Sequence, residues 1–308
     1  MTIDPSPSFD RPFKPKVRAP GGKTYHRLRT MLGELRLTTV CQEALCPNIE
    51  ECWNSGTATF MLMGDTCTRA CRFCAVKTGN PKERPDPDEP VKVGRAIAQM
   101  KLDYVVLTSV DRDDLPDLGS SHFAETVKTI KAGNPRMIVE ALTPDFNAVL
   151  PFIKKLIDAN VDVFAHNIET VERLTPKVRD RRSGYKQSLA TLEGAKKLRA
   201  TQYTKSSIML GLGETEDEIL KSLQDLRGVG CDVVTFGQYL APTKRHKKFL
   251  PVLEYVPQER FDGLKQKALE MGFLYVASGP LVRSSYKAGE FFMKGVIEKK
   301  RKNEKAGS

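Results

Sequence analysis

Six of the seven cysteines in this 308-residue chain fall into two sets of three. The first set has the spacing C-x4-C-x5-C and the second has C-x3-C-x2-C. The members are Cys41, Cys46 and Cys52 in the first triplet, and Cys67, Cys71 and Cys74 in the second. Three thiolates can hold three corners of a cubane iron–sulfur cluster and leave one iron for another ligand, whereas a closed structural site uses four protein ligands. The spacing therefore predicts two clusters, each with one corner that no cysteine holds.

Clustered cysteines could instead form disulfides or bind zinc. The first residues, MTIDPSPSFDRPFKPK, lack the pattern of a secretory signal peptide, so we expect a reducing, cytoplasmic location that disfavours disulfides. Zinc sites favour C-x2-4-C pairs matched by a second pair or by histidines. Only Cys71 and Cys74 have the x2 spacing, and none of the four histidines stands near the triplets. Iron is favoured over both alternatives.

The chain has a formal net charge of +11, which favours an acidic partner such as a protein surface, a nucleic acid or an anionic cofactor. Part of the excess lies in the stretch IEKKRKNEKAGS, which predicts a solvated, partly disordered end. Aromatic residues do not interleave with the basic ones, so we expect no nucleic-acid partner. No apolar run is long enough to span a bilayer, so we expect no membrane association.

Apolar runs of strand length alternate with segments of helical periodicity along most of the chain. A helix is predicted over 24–38, where Leu28, Met31, Leu32 and Leu35 have helical spacing. The predicted strands are 58–64, 104–110, 137–143, 161–168, 205–212, 231–240 and 273–280. The predicted later helices are 91–101, 120–133, 147–159, 185–199, 215–228 and 257–271. This order predicts a parallel sheet covered by helices, either a full or partial barrel or a doubly wound open sheet.

Several special residues follow the predicted strands, where the sites of α/β proteins collect. The second triplet follows the first strand, Asp111 to Asp114 the second, His166 and Asn167 the fourth, and Gly211 to Glu214 the fifth. We interpret the aspartates mainly as loop and capping residues. For His166, a satisfied buried histidine is the more frequent outcome. Gly211 and Gly213 could let the backbone approach a cofactor, or could simply mark a strand exit before a capped helix.

The second triplet lies in the sequence CTRACRFC, residues 67–74, with the aromatic Phe73 directly before the last cysteine. This segment resembles the C-x3-C-x-Φ-C signature of the radical S-adenosylmethionine (SAM) superfamily, in which Φ is aromatic. The resemblance implies that SAM chelates the free iron and that its reductive cleavage gives a 5′-deoxyadenosyl radical. The cofactor then does the difficult chemistry and the protein positions it.

The first triplet indicates which family within this superfamily the chain resembles. Together with the second triplet and RSSY, residues 283–286, it resembles the lipoyl synthase family, and the likeness extends from about Tyr25 to about Gly289. Other landmarks are CPNIEECW (46–53), ATFMLMGD (58–65), RDDLPD (112–117), PDFN (144–147), AHNIETV (165–171), GLGET (211–215) and GPLVRSSY (279–286). Biotin synthase and the methylthiotransferases arrange their auxiliary cysteines differently.

The resemblance implies a partial (β/α)6 TIM-like barrel at 58–272. It also implies an N-terminal arm and cluster-binding extension at 1–57 and a C-terminal fold-back segment at 273–308. In that family the first triplet holds an auxiliary 4Fe-4S cluster whose fourth ligand is a serine oxygen, here Ser285, with Ser284 as the close alternative. We expect Phe73, Asn167, Gly211, Gly213 and Glu214 on the SAM side.

The implied reaction inserts sulfur from the auxiliary cluster at C6 and C8 of an octanoyl group on a lysine of a lipoyl-carrier protein. The implied carriers are lipoyl domains of 2-oxoacid dehydrogenase E2 subunits or the glycine cleavage H protein. An electron donor such as ferredoxin or flavodoxin and an iron–sulfur carrier for cluster repair are also expected. A zinc-stabilised binding module and a radical SAM sulfur transferase acting on RNA remain as rival hypotheses.

Overall fold

A computed structural model of the chain describes residues 21–43, 46, 48–54, 59–100, 102–242, 248–285, 293–299 and 301–302. The strands in these ranges are β1 Thr38–Thr39, β2 Thr59–Leu62, β3 Thr66–Cys67, β4 Lys77–Thr78, β5 Tyr104–Ser109, β6 Ile138–Leu142, β7 Val163–Ala165, β8 Tyr203–Leu210, β9 Val233–Gln238 and β10 Tyr275–Gly279. Most of their residues are buried, which agrees with their continuous apolar sequences.

Helices connect most of the strands of this sheet along the chain. They are α1 Lys23–Glu34, α2 Val40–Glu43, α3 Ile49–Asn54, α4 Glu89–Met100, α5 Ser120–Gly133, α6 Leu150–Asp158, α7 Thr175–Val178, α8 Tyr185–Leu198, α9 Glu216–Gly228 and α10 Gln258–Glu270. Single 3-10 turns occupy Phe146–Ala148 and Glu172–Leu174, and residues 293–299 are helical. In the described ranges, no helix is both long enough and apolar enough to cross a lipid bilayer.

The main sheet has the order β1-β2-β5-β6-β7-β8-β9-β10. From β2 onward the strands follow their order in the chain, and every neighbouring pair is parallel. A doubly wound sheet would reverse its strand order at a switch point. The sequential order, with α4, α5, α6 and α8 packed one against the next, is that of a barrel. The predicted partial TIM-like barrel is therefore confirmed, and the open-sheet alternative is excluded.

β10 belongs to this sheet, because it pairs with β9 from Tyr275↔Val233 to Gly279↔Gly237. The barrel sheet thus has a seventh parallel strand, which the sequence assigned to the C-terminal segment. The predicted division of the chain into an N-terminal extension (1–57), a barrel (58–272) and a C-terminal segment (273–308) stays a prediction.

The segment before the barrel packs directly on β2. In α1, Leu28 and Leu32 are buried, and the ring of Tyr25 lies 4.9 Å from that of Trp53 in α3. The helix ends at Glu34 rather than at the predicted residue 38, because Arg36 has a φ of 55° and the chain then enters β1. β1 pairs antiparallel with β2, so α2 and α3 are held beside the first barrel strand.

The amino ends of the strands, the lower end of the barrel, are closed by the helix at 293–299. The apolar cluster there consists of Tyr104, Val106, Ile138, Val163, Val233, Met293 and Ile297. Lys294 Nζ lies 2.8 Å from Asp103 Oδ2, and Arg301 lies 2.6 Å from Asp162 Oδ1. The predicted disordered basic end is thus wrong for residues 297–299 and 301–302, which are helical and anchored to the barrel.

Candidate active site

The carboxyl ends of the strands, the upper end of the barrel, surround a cavity of 460 Å³. Members of both triplets face this cavity, together with the serines of the RSSY sequence. These lining residues are Cys41, Cys46, Cys67, Cys71, Cys74, Ser284 and Ser285. The fold thus brings together residues that lie more than 200 positions apart in the chain. Tyr286 lies outside the described residues.

Cys52 is the one triplet cysteine that does not line the cavity. It lies on α3, one turn after Asn48, whose carbonyl oxygen accepts the Cys52 backbone N–H at 2.9 Å. Its neighbour in that helix, Trp53, is fully buried. Cys52 is half-buried and packs against the same hydrophobic core as Cys46.

The loop of the second triplet is tied at its base by the short parallel pair of β3 and β4. Backbone N–H groups point at its sulfurs: those of Arg69 and Asp111 donate to Cys67 Sγ at 3.4 Å, and that of Asp180 donates to Cys71 Sγ at 3.3 Å. In iron–sulfur clusters, hydrogen bonds to the sulfur atoms help to set the reduction potential. The loop is therefore built to present sulfur atoms that accept hydrogen bonds from the backbone.

Arg69 holds this loop to the barrel. Its guanidinium lies 2.6 Å from Asp145, 3.0 Å from Asp113 and 3.3 Å from Asp111, and it donates to Ser183 at 3.1 Å. Burial alone would raise the pKa of Asp145, but the bonds from Arg69 outweigh it and lower that pKa. Asp111 and Asp113 do lie in the loop after β5, as expected, but their carboxylates pair with Arg69 and do not cap a helix. They are ion-pair partners that fix the cysteine loop.

Asp145 is itself placed by an unusual turn. The next three residues, Phe146, Asn147 and Ala148, all have positive φ, at 45°, 51° and 55°. The Asp145 carboxylate accepts the N–H of Asn147 at 3.0 Å, so it serves the turn and Arg69 together. This left-handed turn is why α6 begins at Leu150 and not at the predicted residue 147. Such backbone strain is commonly found at functional sites.

The cysteine thiols are strongly shifted by their surroundings. Burial, as the largest cause, raises the pKa of Cys41 and of Cys71 to about 11 and that of Cys67 to about 12. Burial also raises the pKa of Cys46 and Cys74. A buried thiol with such a pKa stays protonated at neutral pH until a cation takes the place of its proton. Burial raises the pKa of the core residue Cys231 in the same way, so the metal assignment rests on the spacing and placement of the triplets and not on these shifts.

The placement of the second triplet suits an iron–sulfur cluster. Cys67, Cys71 and Cys74 come from one loop and face one cavity, as three ligands of a cubane cluster would. All seven cysteines are free thiols, unlike those of the disulfide alternative. In the described part of the chain, no group of three or more His, Cys, Asp or Glu side chains is arranged to hold a single metal ion.

The RSSY segment reaches the first triplet from the far end of the chain. Asn48 Nδ2 donates to the Leu281 carbonyl oxygen at 2.8 Å, and Thr59 Oγ1 donates to Ser285 Oγ at 3.1 Å. At Gly237, a Cβ atom would overlap the Val282 carbonyl oxygen, so only glycine lets the segment approach β9.

Arg283, the first residue of the RSSY sequence, lies near Cys46 of the first triplet. It donates to the Val282 carbonyl oxygen at 2.7 Å. Burial, as the largest cause, lowers its pKa, whereas its proximity to the thiolate form of Cys46 opposes that shift. The same proximity favours the thiolate form of Cys46.

Several polar groups that line the cavity suit a polar cofactor. Ser109 Oγ and Arg179 Nε are buried, line the cavity and have no hydrogen-bond partner among the described residues. Phe73 and Asn167 also line it, and Asn167 Nδ2 donates to Glu169 Oε1 at 3.1 Å. These groups fit the carboxylate, amino and hydroxyl groups of SAM.

Sequence reasoning did not name Glu169 or Arg179 as site residues, although both line the cavity. Glu169 lies in the landmark AHNIETV, and no motif marks Arg179. Glu169 has a φ of 67°, and burial raises its pKa. His166 also lines the cavity, but both of its ring nitrogens have partners: they lie 2.8 Å from the Thr143 carbonyl oxygen and 2.9 Å from Ser188 Oγ.

Three predicted cofactor residues lie away from the cavity. Gly211, Gly213 and Glu214 are not among its lining residues. The Glu214 carboxylate accepts the N–H groups of Gly211 at 2.5 Å and Leu212 at 2.9 Å, so it is used to fold its own loop. Thr215 caps α9 in a capping box. The arrangement favours the strand exit and capped helix, and a SAM contact by these residues stays a prediction.

Comparison with known proteins agrees with this description of the fold. The family profile of the radical SAM superfamily matches residues 61–226. The FeFe-hydrogenase maturase HydG has a TM-score of 0.54 at 16% identity, covering 82% of this chain and 65% of that chain. Streptococcus suis SuiB bound to S-adenosylmethionine has a TM-score of 0.53 at 9% identity, covering 75% and 52%. Fold and cysteine loop thus define a radical SAM protein.

Similar proteins of known function show to which family of this superfamily the chain belongs. The mitochondrial lipoyl synthase of Candida tropicalis is 57% identical over 94% of this chain and 77% of that protein. That of Lachancea thermotolerans is 57% identical over 94% and 78%, and that of Candida albicans is 55% identical over 98% and 78%. The chain belongs to the lipoyl synthase family. It is accordingly a radical SAM, sulfur-inserting enzyme whose family uses 4Fe-4S clusters and SAM.

These relatives overturn the predicted location. They are named mitochondrial, so the expectation of a cytoplasmic protein is wrong. The reasoning failed because free thiols and the lack of a secretory pattern argue only against the export pathway. They do not distinguish the cytoplasm from the interior of a mitochondrion.

Proposed function

We propose that this chain inserts two sulfur atoms, at C6 and C8, into an octanoyl group amide-linked to a lysine of a lipoyl-carrier protein. The observation that carries the proposal is that cysteines of both triplets and Ser285 line one cavity. When bound, two 4Fe-4S clusters and SAM would supply the 5′-deoxyadenosyl radical and the sulfur. The protein's part is to hold these groups and the acyl chain in one enclosed space.

The two triplets divide this work. Cys67, Cys71 and Cys74 would hold the cluster that binds SAM, with Phe73 and Asn167 on the cofactor side of the cavity. Cys41, Cys46, Cys52 and Ser285 would hold the auxiliary cluster. A serine oxygen is a poorer partner for soft iron than a thiolate, so its corner is the one most easily released. The hydrogen bond from Thr59 supports Ser285 over Ser284.

The acyl chain would lie against the apolar part of the cavity wall. Met61, Val76, Leu142 and Met209 line the cavity and come from different strands and loops of the barrel. An octanoyl group offers only methylene groups along C6 to C8, so apolar contacts are what can hold it. The same contacts exclude water from the carbons that lose hydrogen.

The carrier domain would dock on a basic rim, formed by Arg72, Lys77, Lys177 and Arg181. These residues flank the second triplet: the Arg72 N–H donates to the Val178 carbonyl oxygen at 2.8 Å, and Lys77 pairs with Thr66 between β4 and β3. Lys77, Lys177 and Arg181 are exposed. Complementary charge would steer an acidic carrier to the cavity. E2 lipoyl domains and the glycine cleavage H protein, a ferredoxin or flavodoxin donor and an iron–sulfur carrier belong to the same proposal.

A charge-reversal variant tests the docking. Lys77→Glu, Lys177→Glu and Arg181→Glu together should raise KM for an octanoylated carrier domain at least tenfold. KM for a short octanoyl-lysyl peptide should stay unchanged. The matched control reverses Arg95, Lys128 and Lys265, which are exposed on α4, α5 and α10. Equal effects of the two triple variants, or a carrier KM indifferent to ionic strength, would contradict this surface.

Anaerobic turnover tests the activity itself. An octanoyl-lysyl carrier peptide, SAM and a reductant should give a product with two added sulfur atoms by mass spectrometry. The purified protein should be brown and hold roughly eight irons per chain as two cubanes. A colourless zinc protein would support the binding-module alternative. Sulfur transfer to tRNA but not to the peptide would support the RNA-modifying alternative.

A further inference from the structure

We infer that Thr59 is a positioning residue for Ser285, whose hydroxyl oxygen it holds in place as the fourth ligand of the auxiliary cluster. This inference rests on the proposed ligand set. It adds a residue that is neither a cysteine nor part of the RSSY sequence. It is carried by the contacts that Thr59 makes with both parts of that set.

The first contact is between side chains. Thr59 Oγ1 donates a hydrogen bond to Ser285 Oγ at 3.1 Å, and Thr59 is only 5% exposed. A hydroxyl oxygen has two acceptor lone pairs. With one of them taken by Thr59, the other remains for the cavity, which Ser285 lines. The Thr59 hydroxyl therefore decides which way the serine oxygen can face.

The second contact is through the backbone. The backbone of Thr59 makes a hydrogen bond with the Cys41 thiol. Thr59 also begins β2 and pairs with Val106 in the middle of β5. One residue of a rigid strand thus contacts a thiol of the first triplet and the serine that completes its ligand set. It fixes their separation in a way that a loop residue could not.

Thr59 is also the last anchor along the RSSY segment in the described residues. Upstream, Leu281 is bound by Asn48, and Arg283 donates to carbonyl oxygens at Gln238, Pro280 and Val282. These bonds position the backbone and Arg283, but none of them reaches the serine oxygen. Among the described residues, it is Thr59 that donates to Ser285 Oγ.

Iron release from the cluster-loaded enzyme, without SAM or substrate, tests the inference. Thr59→Val keeps the branched shape and removes the donor, whereas Thr59→Ser keeps the donor. Auxiliary-cluster iron should pass to a chelator about tenfold faster in Thr59→Val, the usual effect of losing a hydrogen bond to a metal ligand. Thr59→Ser should behave as the wild type. The matched control is Thr170→Val, since the Thr170 hydroxyl is buried without a partner in the described part of the chain.

A double variant separates positioning from general loosening. Ser285→Ala should release iron at least as fast as Thr59→Val, and adding Thr59→Val to it should change nothing further, because both act on one bond. Additive effects, an unchanged rate in Thr59→Val, or a Thr59→Ser as fast as Thr59→Val would each overturn the role of Thr59. A wild-type rate in Ser285→Ala would instead refute the proposed ligand set.

Discussion

A hydrogen bond between Asn48 and Leu281 joins the segment before the barrel to the segment after β10 at the active site. The Asn48 side-chain amide donates to the Leu281 carbonyl oxygen at 2.8 Å, across 233 positions of sequence. Asn48 lies between Cys46 and Cys52, and Leu281 lies four residues before Ser285. This bond therefore joins the cysteine and serine parts of the proposed auxiliary site, and Asn48 is 6% exposed.

Asn48→Ala should weaken the auxiliary site and spare the other one. Removing the buried amide leaves the Leu281 carbonyl oxygen without this donor, at a cost of about 1–3 kcal/mol of unfolding free energy. We expect lower auxiliary iron content with SAM cleavage retained, measured by iron analysis and 5′-deoxyadenosine formation. Equal loss of both clusters would show that Asn48 supports the whole fold rather than this site.

Variants of the two triplets should fail at different stages. Cys71→Ala should abolish SAM cleavage, because the cluster that binds SAM loses a thiolate. Cys46→Ala should keep measurable SAM cleavage and lose sulfur insertion, read by mass spectrometry of the peptide product. Identical behaviour of the two variants, each still carrying its other cluster, would refute the proposed division.

Arg69→Met should be strongly destabilising. The substitution leaves Asp111, Asp113 and Asp145 without their shared cation in a buried position, which typically costs about 3–5 kcal/mol. The control is Lys154→Ala, which removes an exposed pair with Asp158 and should cost at most about 0.5 kcal/mol. Urea unfolding compares the two. Similar small losses would mean that Arg69 does not organise the loop.

Ala148→Gly should stabilise the protein. Ala148 has a φ of 55°, a conformation that costs an alanine roughly 1 kcal/mol and a glycine little. We expect a gain of about 0.5–1 kcal/mol in unfolding free energy. The same change at Ala190, inside α8, should instead cost about 1 kcal/mol. A loss at both positions would contradict the left-handed turn.

His166 should make stability fall in mild acid. Burial, the largest cause, lowers its pKa to about 4, below the usual value of 6.5. The unfolded chain therefore binds a proton between pH 6.5 and 4 that the folded chain does not bind, so stability is lost as the pH falls. At pH 5 the loss is about 2 kcal/mol relative to pH 7. His166→Gln should show a smaller loss over that interval in urea unfolding, and an equal loss would contradict the assignment.

Local sequence patterns predicted the barrel well, because its strands are short apolar runs and its helices have regular periodicity. The strand predicted at 104–110 is observed at Tyr104–Ser109, and the helix predicted at 120–133 is observed at Ser120–Gly133. The predicted ends of helices were wrong where a residue other than glycine adopts a positive φ, which the local sequence does not indicate. Examples are Arg36 after α1 and Asn147 before α6.

The candidate site was predictable only where residue type and spacing carried the information. The cysteines and Ser285 were named from motifs, whereas Arg69, Thr59 and Gly237 act through partners far along the chain. No local pattern distinguishes such contacts from ordinary loop or strand residues. Glu214 shows the converse, since a motif residue that could contact a cofactor bonds its own loop instead.

The bond between Asn48 and Leu281 also has a consequence for biosynthesis. Residues 282–285, directly after Leu281, line the cavity and leave the ribosome long after the first triplet. Until they arrive, Cys41 and Cys46 face an incomplete enclosure that lacks its serine. The proposed ligand set at the first triplet is therefore complete only after residue 285 has been translated, and a cluster loaded earlier would have one corner that this serine does not hold.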